Sequence, residues 1–232
     1  MTESNGSSRS GGSSSWSLDA DSGELRILTG VAGRAAKMGH RLTIAMRSWT
    51  ATVQWEGGEP ISAELNVVVD SLEVLTGEGG VTPLAGPEKG VARSNALKSL
   101  DAKKFPQIRF ETSDISRTAQ GYRLSGSVEI HGTARPQVVD LTIEDRGAVW
   151  GLSTQVKLTQ SDFGVKPYSL FMGSLKVADE VTIDFAATQP KQPGPDSPVD
   201  DDGVADTHLV EVPQRVVGTE VDAAVADVGV TL

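Results

Sequence analysis

The stretch LSGSVEIHGTARPQVVDLTI, residues 124–143, decides the fold. Polar and apolar residues alternate through its first half, a pattern typical of a β-strand with one buried face. Gly132 and Thr133 interrupt the alternation, Pro136 stands where we expect a second strand to begin, and the pattern then resumes. The stretch therefore predicts a β-hairpin in an antiparallel sheet that has one solvated face.

Further alternating segments lie on both sides of this hairpin. They cover residues 24–31, 40–48, 49–55, 61–69, 108–115, 149–158 and 175–187. Residues 91–100 form the best helix candidate, because their apolar side chains fall near one face. About eight strands with one helical interruption predict an all-β antiparallel sandwich or barrel.

Charge is unevenly distributed along the 232 residues, whose formal net charge is −10. Residues 190–232 hold nine acidic and two basic residues, a net of −7, which leaves −3 for residues 1–189. We predict a β-domain at 16–188, a disordered Ser/Gly-rich tail at 1–15 and a mostly disordered acidic Pro/Asp-rich tail at 189–232. Neither part has the basic footprint of a nucleic-acid-binding protein, so we expect no nucleic-acid partner.

Composition also bounds the chemistry and the compartment. The chain has no Cys, which excludes disulfides, thiolate metal sites and cysteine nucleophiles. The first fifteen residues resemble no secretory signal, and no apolar run approaches the roughly 18 residues of a membrane span. We expect a cytoplasmic protein without a transmembrane segment.

Candidate catalytic and metal-binding residues are few. We predict that His40 donates a hydrogen bond to a backbone carbonyl at a strand edge and that His131 caps a turn, and a metal-ligand role is the alternative for each. Asp179 and Glu180 are neighbours in a predicted strand, so they point to opposite faces and cannot share an acid–base site. With no catalytic constellation in the sequence, we expect no enzyme, no metal and no cofactor.

Four motifs in this order resemble the YceI-like family. They are FPQIRFETS at 105–113, HGTARPQVVDL at 131–141, SDFGV at 161–165 and VADEV at 177–181. Gly39-His40 and KPYS at 166–169 are similar to an intracellular actinobacterial branch of that family. Two positions depart from the family pattern: DADS at 19–22 lacks its early His, and Gln160 stands where the family usually has Arg.

The resemblance implies an extended antiparallel lipocalin-like barrel of about eight strands with a short helix. It also implies non-catalytic binding of a polyisoprenoid or other long-chain lipid in an apolar interior. From the alternation we expect seven side chains to line that interior: Ile44, Met46, Trp49, Val67, Phe110, Ile130 and Phe163.

An alternative to lipid binding stays open at this point. The barrel interior could be filled by its own side chains, and the protein would then be a stress-related interaction module that works through its acidic tail. A cavity of several hundred Å³ along the barrel favours the lipid-binding hypothesis. The sequence is compatible with a homodimer, and it does not identify a partner for the acidic tail.

Overall fold

The computed structural model describes residues 13–191 of the chain. This part contains the helix α1 (Gly86–Ser99) and twelve strands. The strands are β1 (Ser13–Asp19), β2 (Gly23–Ala32), β3 (His40–Met46), β4 (Trp49–Glu56), β5 (Glu59–Val68), β6 (Leu72–Gly79), β7 (Gln107–Arg117), β8 (Gly121–Ile130), β9 (Thr133–Asp145), β10 (Val149–Thr159), β11 (Ser169–Leu170) and β12 (Leu175–Pro190). The predicted all-β class with one short helix is confirmed.

Eleven of these strands form one antiparallel sheet in the order β1-β4-β5-β7-β8-β9-β10-β12-β2-β3-β6, and β11 pairs with β12. Within the described residues the two end strands, β1 and β6, do not pair with each other. Leu18 of β1 and Val74 of β6 nevertheless belong to the same buried cluster. The sheet is therefore curled, and its form is a half-barrel with α1 packed on β6.

The predicted hairpin is formed by β8 and β9, whose register pairs Ile130 with Thr133. His131 and Gly132 make the two-residue turn, with φ of 53° and 71°. Two positive φ values are the geometry of a type I′ turn, which matches the twist of the flanking strands. The turn is confirmed, but β9 begins at Thr133, so Pro136 lies inside the strand and not at its start.

Pro136 is tolerated there because of its position in the sheet. It lies opposite Ser127 of β8, while the pairing of β9 with β10 is confined to residues 142–145. A strand that lacks a partner on one side accepts a missing N–H.

Three strands lie outside the segments that the alternation singles out. β1 begins at Ser13, inside the predicted N-terminal tail, because it pairs with β4 from Ser13↔Glu56 to Asp19↔Thr50. β6 lies between the predicted strand at 61–69 and the predicted helix at 91–100, and β11 has only two residues. At the other end, β12 runs to Pro190, two residues beyond the predicted domain boundary.

The rest of the two predicted tails, residues 1–12 and 192–232, lies outside the described residues. Within the described range, no helix combines the length and the apolar character that crossing a membrane would need.

Candidate ligand-binding site

The half-barrel encloses a cavity of about 200 Å³, which we call the narrow cavity. Its exposed surface is wholly apolar. Representative wall residues from both halves of the sheet are Leu25, Met46, Val67, Phe110, Leu141 and Phe185. Strand alternation explains the apolar surface of the cavity, since successive side chains point to opposite faces of the sheet and the apolar ones face inward.

Strand β7 shows the alternation clearly. Phe110 lines the narrow cavity, while its neighbour Arg109 forms ion pairs with Glu64 at 3.1 Å and Glu111 at 2.9 Å. All three charged side chains are about half exposed, at 48%, 42% and 58%. The apolar face of the strand is therefore directed to the cavity and the charged face to solvent.

A second cavity of about 410 Å³, the wide cavity, lies between α1, the sheet and residues 163–170. Ile44, Leu84 and Phe163 contribute to its apolar surface. Polar side chains also line it, among them His40, Glu88, Asn95 and Ser99. The wide cavity is thus amphipathic, whereas the narrow cavity is not.

Small side chains on α1 leave room for the wide cavity. Ala92 and Ala96 line it, and each contributes only one methyl group to the space between helix and sheet. The helix is held in place by polar contacts outside the cavity. Arg93 Nε donates to the Leu72 carbonyl oxygen at 2.8 Å, and Lys89 Nζ donates to the Leu75 carbonyl oxygen at 2.7 Å.

Helix α1 begins five residues before the predicted start, at Gly86. Pro87 in its first turn has a suitable fixed φ, and the Glu88 carboxylate accepts a hydrogen bond from the Ala85 N–H at 2.6 Å. Glu88 therefore acts as a helix cap as well as a wall residue of the wide cavity.

The two cavities adjoin each other. They share five apolar wall residues: Ile27, Ile108, Ile130, Leu158 and Ile183. Ligand pockets in proteins usually have volumes of about 300–1,000 Å³. The volume of the wide cavity by itself lies within this range of ligand-pocket volumes. The narrow cavity extends the apolar space farther into the half-barrel.

A seam in the wall borders the narrow cavity. β9 and β10 are paired only through residues 142–145, so their remaining lengths diverge. Gln137 of β9 and Val156 of β10 line the narrow cavity along this seam. Side chains bridge part of the gap, since Thr154 Oγ1 donates to the Asp140 carbonyl oxygen at 2.8 Å.

The wide cavity is closed at one side by a short 3-10 helix, Gln160–Phe163. Phe163 and Val165 are buried there and pack with Val128 in a second core cluster. Asp179 fixes this segment, because its carboxylate accepts hydrogen bonds from Ser161 Oγ at 2.6 Å and Ser161 N at 2.9 Å. These two hydrogen bonds, the hydroxyl one foremost, lower the pKa of Asp179 from its usual value.

The predicted lining residues are divided between the two cavities. Met46, Val67 and Phe110 line the narrow cavity, Ile44 and Phe163 line the wide one, and Ile130 lines both. Trp49 lines neither cavity. It is buried in the main core, with its ring edge against the Phe185 ring at a centroid distance of 5.4 Å.

Several wall residues escaped the prediction although the sequence contained a signal for them. Ala51, Ala63 and Leu65 line the narrow cavity and follow from the period-2 parity that selects Trp49 and Val67. The Ala residues of α1 gave no such signal, since a small apolar residue on a helix is as common in a packed core as in a cavity wall.

The two His residues have structural roles in this part of the chain. His40 Nε2 donates to the Thr82 carbonyl oxygen at 2.8 Å, which confirms the predicted backbone contact. His131 forms the β8–β9 turn, and its ring contacts the Phe105 ring in a tilted arrangement, at a centroid distance of 4.6 Å. Among the described residues, no group of three or more His, Asp or Glu side chains could hold a metal ion.

Comparisons with known proteins agree with this architecture. The family model described as YceI-like domain matches residues 16–189. The crystal structure of Burkholderia cenocepacia BcnA is similar, with 21% sequence identity and a TM-score of 0.56, over 74% of this chain and 99% of that chain. A comparison with curated proteins gave no match.

The crystal structure of a Campylobacter jejuni YCEI protein is more distantly similar. It has 15% identity and a TM-score of 0.48, over 65% of this chain and 85% of that chain. At 21% identity the BcnA structure supports the fold alone, and the ligand has to be argued from the cavities themselves.

Proposed function

The chain belongs to the YceI-like family, and from this premise we propose that it binds a long-chain amphiphile, a polyisoprenoid or another lipid, in its apolar interior without changing it chemically. The family is a binding-type fold. The observation that carries the proposal is the pair of adjoining cavities, a wholly apolar one and an amphipathic one. This arrangement matches a molecule with an apolar chain and a polar end.

Burial of the chain would supply the affinity. Each buried CH₂ contributes about 0.8 kcal/mol. A chain of about 15 carbons therefore gains on the order of 10 kcal/mol before the entropic cost of association. The surface that the narrow cavity exposes is wholly apolar, so no group on that surface needs a hydrogen-bond partner from the ligand.

Adjoining cavities also disfavour the alternative of a filled interior. A solid core would leave no more than small voids, because protein interiors are close-packed. The structural module acting through its acidic tail has no observation in its favour, since the tail lies outside the described residues.

Extraction of the purified protein tests the proposal. We expect the full chain, isolated without detergent, to yield about one amphiphile per protein when it is extracted with organic solvent and analysed by mass spectrometry. Ala63→Phe, which fills the narrow cavity, should carry less of it or a shorter chain. Ala186→Phe, at an exposed position of β12, is the matched control. No bound amphiphile in repeated preparations, together with no uptake of added farnesol, would refute the proposal.

That the protein is cytoplasmic and that it can form a homodimer stay predictions from the sequence. Cell fractionation checks the first and sedimentation velocity of the full chain checks the second.

A further inference from the structure

A third concavity, of about 420 Å³, lies beside the wide cavity, and we call it the lysine depression. It is formed by the end of α1, the β8–β9 turn and the segment after the 3-10 helix. Its residues are Asn95, Lys98, Ser99, Asp101, His131, Gly164, Lys166 and Tyr168. Asn95, Ser99 and Tyr168 line both the lysine depression and the wide cavity, so the two are contiguous.

Two cations in this depression have no ionic partner among the residues that the structure describes. Lys98 and Lys166 are exposed, and neither forms an ion pair with any residue between 13 and 191. Arg residues on the sheet are mostly neutralised, for example Arg123 by Asp140 at 2.7 Å. Asp101 is the acidic residue of the depression, so the formal charge there is +1 when His131 is neutral.

A further cation lies close to this group. Lys104 Nζ is 4.9 Å from the centre of the Phe105 ring, and the Phe105 ring contacts the His131 ring. Lys98 alone would be explained by its place in the last turn of α1, where a cation interacts favourably with the helix dipole. Lys166 comes from a separate segment and has no such explanation.

We propose that the lysine depression is the head-group site of the bound amphiphile and that it selects an anionic head, a phosphate or a carboxylate. This inference rests on the proposed function. The ammonium groups of Lys98 and Lys166 would face the anionic oxygens, because Lys binds such groups as a point charge. The chain would pass Asn95, Ser99 and Tyr168 into the wide cavity. These three residues can donate hydrogen bonds to the head.

The test uses two matched ligand pairs with the full chain: farnesyl monophosphate against farnesol, and dodecanoate against dodecanol. Exposed charge pairs are each worth 0.2–1 kcal/mol, so we expect the anionic member to bind about tenfold tighter at low salt. The preference should fall with ionic strength because salt screens the exposed charges. The first pair probes a phosphate head and the second a carboxylate head.

Lys98→Gln/Lys166→Gln should remove most of the preference and leave farnesol binding unchanged. Lys98→Arg/Lys166→Arg should retain it. The matched control is Lys37→Gln/Lys103→Gln, which removes two exposed lysines that line none of the three cavities. Circular dichroism and thermal unfolding verify that each variant is folded.

The outcomes separate the two proposals. Equal affinity for anionic and neutral members, or a preference that survives Lys98→Gln/Lys166→Gln, overturns the head-group site while ligand binding stands. Inorganic phosphate that displaces farnesyl monophosphate at equal concentration also overturns it, because the depression would then be a free-anion site. Failure of all four ligands to bind overturns the proposed function as well.

Discussion

The narrow and wide cavities are adjoining parts of one interior, but they are built differently. Strands alone form the narrow cavity, and its surface is wholly apolar. The wide cavity is bounded by a helix and by residues 163–170 as well as by strands, and its mostly apolar wall also contains polar side chains. The comparison teaches that strand alternation alone can form a cavity for an apolar chain. The helix and residues 163–170, which pack on the sheet at the wide cavity, determine which polar end the ligand can have.

The closing segment of the wide cavity is the first place to test this difference. Phe163→Ala should lower the free energy of unfolding by about 3–5 kcal/mol, because a buried ring is lost and a void remains. Leu170→Ala, at a residue of the same cavity that is 40% exposed, should cost less than about 1 kcal/mol. Urea unfolding of the full chain measures both. Equal costs would show that the 3-10 helix is not part of the packed wall.

The turns at the two ends of β9 allow a second comparison. Gly132 and Gly147 have nearly the same φ, 71° and 76°, so a side chain at either position is strained by roughly 1–2 kcal/mol. A Cβ at Gly132 would lie 2.5 Å from Cε1 of Phe105, whereas a Cβ at Gly147 has no neighbour within 4 Å. Gly132→Ala should therefore cost about 1 kcal/mol more than Gly147→Ala in chemical denaturation. The reverse order would contradict the contact with Phe105.

A smaller effect on stability is expected when Asp179, which fixes the 3-10 helix at the wide cavity, is substituted. Its pKa is lower in the folded protein than the ordinary value of about 3.9, so its hydrogen bonds to Ser161 contribute fully above about pH 4. The contribution is lost as the pH falls through the folded-state pKa. Asp179→Asn should lower stability by about 1 kcal/mol or less at pH 7, and the difference should shrink by pH 3.

Glu129→Gln is the control for that experiment, since Glu129 is exposed and pairs with no described cation. A difference between Asp179→Asn and the unsubstituted protein that stays constant from pH 7 to pH 3 would contradict the role given to the carboxylate.

Much of the barrel could be predicted from the sequence because strand alternation is a local signal. The β8–β9 hairpin, the all-β class and the inward direction of Phe110 follow from period-2 patterns. β1 could not be predicted, since its sequence SSSWSLD is ordered by pairing with β4 rather than by its own composition.

The site was less predictable for a physical reason. Alternation indicates which face a residue lies on, but not whether that face meets a neighbour or an open space. Trp49 and Val67 have the same inward parity and lie opposite each other in the register. Val67 lines the narrow cavity, while Trp49 packs against Phe185. The lysine depression depends on three segments distant in sequence, so no local pattern marks it.

A chain-length series measures the central claim most directly. Dissociation constants of linear alcohols for the full chain should fall about fourfold per added CH₂, equivalent to about 0.8 kcal/mol, and then reach a plateau when the cavities are filled. Ala63→Phe should move the plateau to a shorter chain, and Ala186→Phe should not move it. Affinities that are independent of chain length, or a plateau unchanged by Ala63→Phe, would contradict binding in the apolar interior.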